Sequence, residues 1–201
     1  MSRARLGVLL SGRGSNFVAI ADAASRGDLP AEVAVVISNQ PGAAGLERAR
    51  ERGIPAVLLP HQGRKRAEHE AEVLAALRSH QVDWVCLAGY LRIVGPALVG
   101  AYPQRLLNIH PSLLPSFPGL DAQRQAFDHG VKVSGCTVHL VDAGLDTGPI
   151  VLQRAVDVAD AGSAEEVAAR ILAVEHAAYV EALGRLLSEP WSLQGRRIRF
   201  D

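Results

Sequence analysis

Short apolar runs alternate with longer amphipathic stretches through the first half of the chain, and this alternation restricts the fold more than any other feature. Strands are expected at residues 6–10, 32–37, 56–59, 84–87 and 106–110, and helices at 17–25, 46–52 and 65–79. Apolar strands separated by helices are typical of parallel sheets covered on both faces. The sequence therefore predicts a doubly wound, mostly parallel α/β sheet, with ligands at the carboxyl ends of its strands.

The pattern changes after Gly130. Strands are expected at 132–141 and 149–158, where they would pair antiparallel and extend the sheet. A long helix is expected from Ser163, because Ser163 and Glu166 match a capping box ahead of apolar residues at helical spacing. The tail from residue 189 onward is expected to wrap the surface. A chain of 201 residues suits one domain with one substantial core.

Composition and charge argue against several classes of function. The 21 basic residues balance 21 acidic ones, so no basic field exists to hold nucleic acid or an anionic membrane. The N-terminal apolar stretch is too short for a signal peptide or a membrane span. Cys86 and Cys136 lie in apolar runs, which favours buried, inert thiols in a reduced compartment. These features predict a cytoplasmic protein.

A glycine-rich turn, Ser11-Gly-Arg-Gly-Ser-Asn16, separates the first predicted strand from the first helix. Free backbone N–H groups and the helix dipole favour an anion here, and Gly12 and Gly14 allow the backbone to approach a phosphate closely. The alternative is a tight turn in which Ser15 or Asn16 caps the helix. The third glycine and the acidic residue of a dinucleotide site are missing, so the turn suits one monophosphate.

Asn108 and His110 stand two residues apart in a predicted strand, so their side chains point to the same face near its carboxyl end. Taken alone, the pair is better explained by one hydrogen bond each to a loop carbonyl. Prolines at 111, 115 and 118 stiffen the following segment, as in a rigid loop over a ligand site. The sequence leaves open whether the Leu114–Pro115 bond is cis.

Asp146 lies in a glycine-bounded loop, where an acid either serves the turn or folds back over the sheet. Asn108, His110 and Asp146 together suit acyl transfer without a covalent intermediate. Imidazolium and amide N–H groups would donate to the developing oxyanion, while the carboxylate would hold the imidazole in its charged form or accept a proton from the attacking amine. A metal site built from His110, His139 and Asp146 is the rival, although the close ligand pairs of zinc and iron motifs are missing.

The other histidines carry no specific signal. His139 is expected to be a sheet residue beside the site. His61, His69 and His80 are expected in or near polar helical surface.

Longer motifs in a fixed order surround these residues. They are SGRGSN at 11–16, GLERAR at 45–50, LAGYLRI at 87–93, LLNIHPSLLPSFPG at 106–119 and LDTGPI at 145–150. With these motifs the sequence resembles the formyltransferase family that uses 10-formyltetrahydrofolate. The resemblance implies a Rossmann-like formyltransferase fold, 10-formyltetrahydrofolate as co-substrate and no required metal. It also implies that Asn108, His110 and Asp146 are catalytic, and that Gly14, Ser15 and Asn16 bind a substrate phosphate.

Further roles rest on the resemblance alone. It implies a folate site formed by Arg66, Tyr90, Leu91, Arg92, Ile93, Val94, Asn108, Val141 and Asp142. It assigns Glu175 to the ribose or amine of the substrate, although spacing alone makes Glu175 a solvated helix carboxylate. Leu172 stands where some relatives carry Lys or Gln, so the resemblance does not extend to a phosphate contact from that helix. Residues 1–105 would then form a phosphate-binding half, and 106–201 a catalytic and folate-binding half.

Within the family, the chain resembles the branch that formylates 5'-phosphoribosylglycinamide in purine biosynthesis. It has room for neither the RNA-binding domain of the tRNA formyltransferases nor the regulatory domain of the formyltetrahydrofolate hydrolases. The expected partners are the two small substrates, without nucleic acid or membrane, and the expected assembly is a monomer or homodimer.

Two alternatives lie outside the family, a nucleotide-binding regulatory module and a nicotinamide oxidoreductase. The first has no use for three converging catalytic side chains. The second would require an acid where Ser38 and Asn39 stand.

Overall fold

The computed structural model describes residues 3–201, which form two compact units that divide between Leu107 and Asn108. The first unit contains strands β1 (Ala4–Leu10), β2 (Ala31–Ser38), β3 (Ala56–Leu58) and β4 (Trp84–Leu87), and helices α1 (Ser15–Arg26), α2 (Ala44–Glu51), α3 (Arg66–Ser79) and α4 (Pro96–Ala101). Strand β5 (Leu106–His110) begins in this unit and ends in the second. The first four strands pair in parallel in the order β3-β2-β1-β4.

Strand β1 lies at the centre of the core of the first unit. Leu6, Val8, Leu9 and Leu10 are all fully buried, as expected for an inner parallel strand that is covered on both faces. A Cβ added to Gly7 would lie 2.4 Å from the Leu77 side chain of α3. Helix α3 therefore packs directly against the strand backbone.

Helix α1 begins immediately after the glycine-rich turn. Its buried face includes Phe17, Ile20 and Ala24, which recur at helical spacing. The prediction that Ser15 or Asn16 caps this helix is wrong, because the N-cap is Gly14 at a φ of 71° and no side chain forms the cap hydrogen bond. Only glycine adopts this left-handed conformation without steric cost.

The second unit carries the antiparallel extension. After β5 it contains α5 (Ala122–Asp128), β6 (Val133–Leu140), β7 (Ile150–Asp157), α6 (Ala164–Ser188), β8 (Trp191–Gln194) and β9 (Arg197–Phe200). Strands β6 and β7 pair antiparallel as predicted, β9 joins β7, and β8 pairs antiparallel with β9. Helix α6 begins after Ser163, whose hydroxyl accepts a hydrogen bond from the Glu166 N–H at 3.2 Å. The Glu166 carboxylate accepts from the Gly162 N–H, so the capping box is shifted by one residue.

The predicted fold class is confirmed: a mostly parallel α/β fold with an antiparallel C-terminal extension and a long C-terminal helix. Helices α4 and α5 were not predicted, because six or seven residues are too few to show a clear period. The tail is also more regular than predicted, since residues 191–200 form a hairpin. Within residues 3–201, no helix combines the length and hydropathy needed to span a bilayer.

The loop that carries Asp146 ends at the buried Gly148, where a Cβ would lie 1.7 Å from the carbonyl oxygen of Leu140. We expect Gly148→Ala to lower the free energy of unfolding by about 1–3 kcal/mol or more, measured by urea denaturation. Gly100→Ala in α4 is the matched control, because nothing lies within 4 Å of its added Cβ. Alanine should be neutral there or stabilise the helix by about 0.5–1 kcal/mol. Equal stability of the two variants would contradict the close packing at Gly148.

Candidate active site

The three predicted catalytic side chains meet in the second unit, together with His139. Nδ1 of His110 lies 3.4 Å from Oδ2 of Asp146. Nε2 of His139 lies 3.7 Å from Oδ1 of Asp146 and 3.1 Å from Nδ2 of Asn108. We call Asn108, His110, His139 and Asp146 the Asp146 cluster. Strands β5 and β6 and the β6–β7 loop supply its members.

The imidazole of His110 lies between two acceptors. Its Nε2 donates to the carbonyl oxygen of Phe117 at 2.8 Å, since a carbonyl can only accept. Its Nδ1 faces the carboxylate of Asp146. The expectation of an ordinary hydrogen bond to a loop carbonyl therefore holds for one ring nitrogen, while the other faces an acid. The surroundings accommodate a ring that carries a proton on both nitrogens.

His139 fixes the amide of Asn108. Its Nδ1 lies 2.9 Å from the carbonyl oxygen of Leu140 and must donate to it. Burial, above all, lowers the pKa of His139 from its ordinary value and favours the neutral ring. The Nε2 lone pair of that ring accepts a hydrogen bond from Nδ2 of Asn108. The second Nδ2 hydrogen of Asn108 is then turned away from His139 and can serve another acceptor.

Two strained residues hold the partners of His110. Asp146 has a φ of 53° and Phe117 a φ of 51°, in the left-handed region that costs residues other than glycine about 1–3 kcal/mol. The carboxylate of Asp146 accepts a hydrogen bond from the Gly119 N–H at 2.8 Å. In the same segment, the Leu114–Pro115 bond is cis. The left-handed backbone of Asp146 and Phe117 is of the kind that is concentrated at functional sites, where the surrounding structure holds it in place.

Thr137 anchors the loop that follows β5. Its fully buried Oγ1 donates to the Ser112 carbonyl at 2.7 Å and accepts from the Leu114 N–H at 3.0 Å and from Nε2 of Gln153 at 2.9 Å. All bonding capacity of this hydroxyl is used. Sequence reasoning missed Thr137, although its place two residues before His139 on β6 puts both on one face.

The glycine-rich turn lies in the first unit. A Cβ added to Gly14 would meet the Cα of Gly45 at 2.9 Å, whereas nothing lies within 4 Å of one added to Gly12. The first turn of α1 holds no acidic residue and no side-chain cap. The helix therefore begins at Gly14, Ser15 and Asn16 without a side-chain cap, and an uncapped N-terminus suits an anion. That these three bind a phosphate remains a prediction.

Most of the predicted folate residues of the first unit line one pocket. They are Arg66, Tyr90, Arg92, Ile93 and Val94, joined by the buried His69 and Glu70. The enclosed space is only about 10 Å³, roughly that of one water molecule, so a pterin ring would have to lie on the outer face. Leu91 and Ile93 are 68% and 61% exposed there. Burial raises the pKa of Tyr90 to about 12, which keeps its phenol neutral.

Val141 and Asp142, the remaining folate candidates, are half-buried at the end of β6. Asp142 Oδ1 accepts hydrogen bonds from the Gly144 N–H at 3.0 Å and from the Thr147 hydroxyl at 2.7 Å. This carboxylate therefore shapes the loop that carries Asp146. Its contact with folate remains a prediction.

Two expectations drawn from spacing alone are wrong. His69 is only 2% exposed, and its Nε2 donates to the Leu59 carbonyl at 2.8 Å. Glu175 is 8% exposed instead of solvated. Burial first, and the charge of Glu175 second, raise the pKa of the Cys136 thiol on β6 to about 11. The predicted burial of Cys86 and Cys136 is correct.

The structure gives no support to the rival hypothesis of a metal site at His110, His139 and Asp146. Nε2 of His110 donates to a carbonyl, and both nitrogens of His139 have hydrogen-bond partners. Across the described range 3–201, no group of three or more His, Cys, Asp or Glu side chains is arranged to hold a metal ion.

Replacing Thr137 by Val keeps the shape of the side chain and leaves the buried Leu114 N–H without its acceptor. We expect the free energy of unfolding to fall by about 1–3 kcal/mol, measured by urea denaturation. Thr147→Val is the control, because Thr147 is exposed and makes one bond, so its loss should be about 0.5 kcal/mol or less. Similar losses in the two variants would show that Thr137 anchors nothing.

The depressed pKa of His139 makes stability depend on pH. Its folded pKa lies below its ordinary value of 6.5, so the unfolded chain binds more protons as the pH falls through that range. The contribution of a neutral His139 should be complete above pH 6.5 and lost below it, with His69 acting in the same direction. NMR titration should find the His139 midpoint below 6.5, and His139→Gln should flatten the decline in stability. A midpoint above 6.5 would refute the neutral ring.

Several known proteins resemble this chain in sequence and in fold. The family model described as formyl transferase matches residues 4–183. The phosphoribosylglycinamide formyltransferase of Bacillus subtilis is 41% identical over 91% of this chain and 94% of its own length. The crystal structure of glycinamide ribonucleotide transformylase 1 from Symbiobacterium toebii is 49% identical, with a TM-score of 0.96 over 99% of this chain and 94% of that one.

A larger protein also contains a similar segment. The trifunctional purine biosynthetic protein adenosine-3 of Drosophila melanogaster is 44% identical over 92% of this chain, but the chain spans only 14% of that protein's length. The chain is thus similar both to a relative of about its own length and to a small segment of a much longer one. The family model covers most of the chain, and the chain belongs to the formyl transferase family.

Proposed function

We propose that the chain transfers the formyl group of 10-formyltetrahydrofolate to the amine of 5'-phosphoribosylglycinamide, a step of purine biosynthesis. The Asp146 cluster carries the proposal, because His110 lies 3.4 Å from the Asp146 carboxylate, and His139 lies 3.7 Å from that carboxylate and 3.1 Å from the Asn108 amide. The relatives named above carry this activity in their names. The carboxylate and the strained loop support the second unit as the place of the chemistry.

The reaction needs no covalent enzyme intermediate. The substrate amine attacks the formyl carbon, a C–N bond forms, and the formyl oxygen becomes an oxyanion. The free Nδ2 hydrogen of Asn108 and the Nδ1 hydrogen of His110 donate to that oxygen. The Nδ1 to Asp146 distance of 3.4 Å is too long to hold that hydrogen tightly. Asp146 accepts the proton released by the amine. As the oxyanion collapses, the bond between the formyl carbon and N10 breaks and that proton passes to N10, which leaves tetrahydrofolate and the N-formyl product.

The remaining residues are assigned to ligand binding. The substrate phosphate is assigned to the N–H groups of Gly14, Ser15 and Asn16, supported by the uncapped start of α1. Folate is assigned to the exposed face of residues 90–94, with Arg66 at its glutamate tail and Val141 and Asp142 as further contacts. Glu175 is assigned to the ribose or amine, because a buried carboxylate suits hydroxyl or ammonium donors.

Location, metal requirement and assembly are also part of the proposal. We propose a cytoplasmic enzyme that requires no metal, acts as a monomer or homodimer and binds neither nucleic acid nor membrane. The formal charge of zero supports the last point.

The proposal predicts release of tetrahydrofolate only when both substrates are present. In Asn108→Ala and His110→Ala we expect the transfer rate to fall by roughly 10²–10⁴-fold, because each removes one oxyanion donor, while binding of phosphoribosylglycinamide changes little. His80→Ala is the matched control, since His80 caps the end of α3 outside the Asp146 cluster. Near-normal turnover in His110→Ala would overturn the mechanism. Equal release without phosphoribosylglycinamide would identify a hydrolase instead.

A further inference from the structure

A chain of hydrogen bonds in the first unit joins the carboxyl ends of four strands in their spatial order. His61 follows β3, Asn39 follows β2, Ser11 follows β1 and Leu91 follows β4. Nδ2 of Asn39 lies 3.1 Å from Nδ1 of His61. The Ser11 hydroxyl donates to Oδ1 of Asn39 at 2.6 Å and accepts from the Leu91 N–H at 2.8 Å. We call these four residues the strand-end relay.

Ser11 is the member of the relay that joins the glycine-rich turn to residues 90–94. It is 7% exposed and is the first residue of the turn. Its O–H is directed at Asn39, which is 1% exposed, so the oxygen lone pairs are directed away from Asn39 and one receives the Leu91 N–H. The Ser11 N–H also donates to the Gly89 carbonyl at 2.9 Å. Replacing the Ser11 side chain by alanine removes the bond from the Leu91 N–H and leaves the backbone bond to Gly89 in place.

Leu91, the residue that Ser11 holds, has little support from its own side chain. Leu91 is 68% exposed, so packing of its side chain contributes little to its position. Gly89 has a φ of 75°, which turns the backbone sharply as it leaves β4. The Leu91 N–H bond to Ser11 is therefore the contact that holds the backbone immediately after this turn.

We propose that Ser11 is a positioning residue that couples binding at the glycine-rich turn to binding at residues 90–94. The inference rests on the proposed function, in which the turn takes the phosphate of one substrate and the segment takes folate. Because the two share one hydroxyl, a ligand that orders the turn also orders the segment, and the reverse. Each ligand then binds more tightly when the other is present.

The test uses phosphoribosylglycinamide and tetrahydrofolate, which cannot react because no formyl group is present. In Ser11→Ala the Leu91 N–H loses its acceptor, so we expect its amide hydrogen to exchange at least about 10-fold faster and tetrahydrofolate to bind roughly 5–50-fold more weakly. Saturating phosphoribosylglycinamide should tighten tetrahydrofolate binding in the wild type but not in the variant. Calorimetric titrations measure both effects. Ser79→Ala, which removes a serine bond to the Ala76 carbonyl at the end of α3, is the control.

The possible results distinguish failure of the Ser11 proposal from failure of the proposed function. In the transfer assay, Ser11→Ala should raise the KM for the folate substrate with kcat changed by about threefold at most. A purely structural role would lower the melting temperature while leaving the coupling between the two ligands as in the wild type, and that result would overturn the inference alone. A wild-type chain that binds both ligands without coupling would do the same. Failure of the wild type to bind either ligand would overturn the proposed function itself.

Discussion

The Asp146 carboxylate is the interaction on which the proposed active site depends. It accepts the Gly119 N–H on one side and faces the imidazoles of His110 and His139 on the other. Its backbone is held in a left-handed conformation, and the following turn closes at a glycine that no other residue can replace without a clash against Leu140. Asp146 thereby connects the β6–β7 loop to the loop after β5. The Asp146 cluster forms only when both loops have their native conformation.

The two imidazoles beside this carboxylate take opposite roles because their second nitrogens have different partners. His110 donates to the Phe117 carbonyl and keeps Nδ1 toward the acid. His139 donates from Nδ1 to Leu140, stays neutral through burial and uses Nε2 to orient Asn108. The amide and the imidazole of β5 are therefore oriented before any substrate arrives. Preorganised donors of this kind stabilise developing charge without reorganisation during the reaction.

The sequence predicted those parts of the molecule that follow from periodicity and chain order. Residues 84–87 and 106–110 form strands with the predicted bounds. Short apolar runs of this length are typical of buried strands. The pairing of Asn108 with His110 followed from the two-residue period of a strand. The spacing of residues in the sequence could not predict which distant segments would be in contact. Thr137, His69 and Asn39 gained their roles through partners at Ser112, Leu59 and Ser11, and Glu175 was buried by the packing of α6.

Asp146→Asn tests whether the negative charge of Asp146 supports the transfer. The amide oxygen can still accept the Gly119 N–H, so the loop should keep its structure while the negative charge beside His110 is lost. The account predicts that single-turnover formyl transfer falls by roughly 10²–10⁴-fold, with the melting temperature and phosphoribosylglycinamide binding close to those of the wild type. Transfer within about threefold of the wild type in a folded, ligand-binding variant would contradict it.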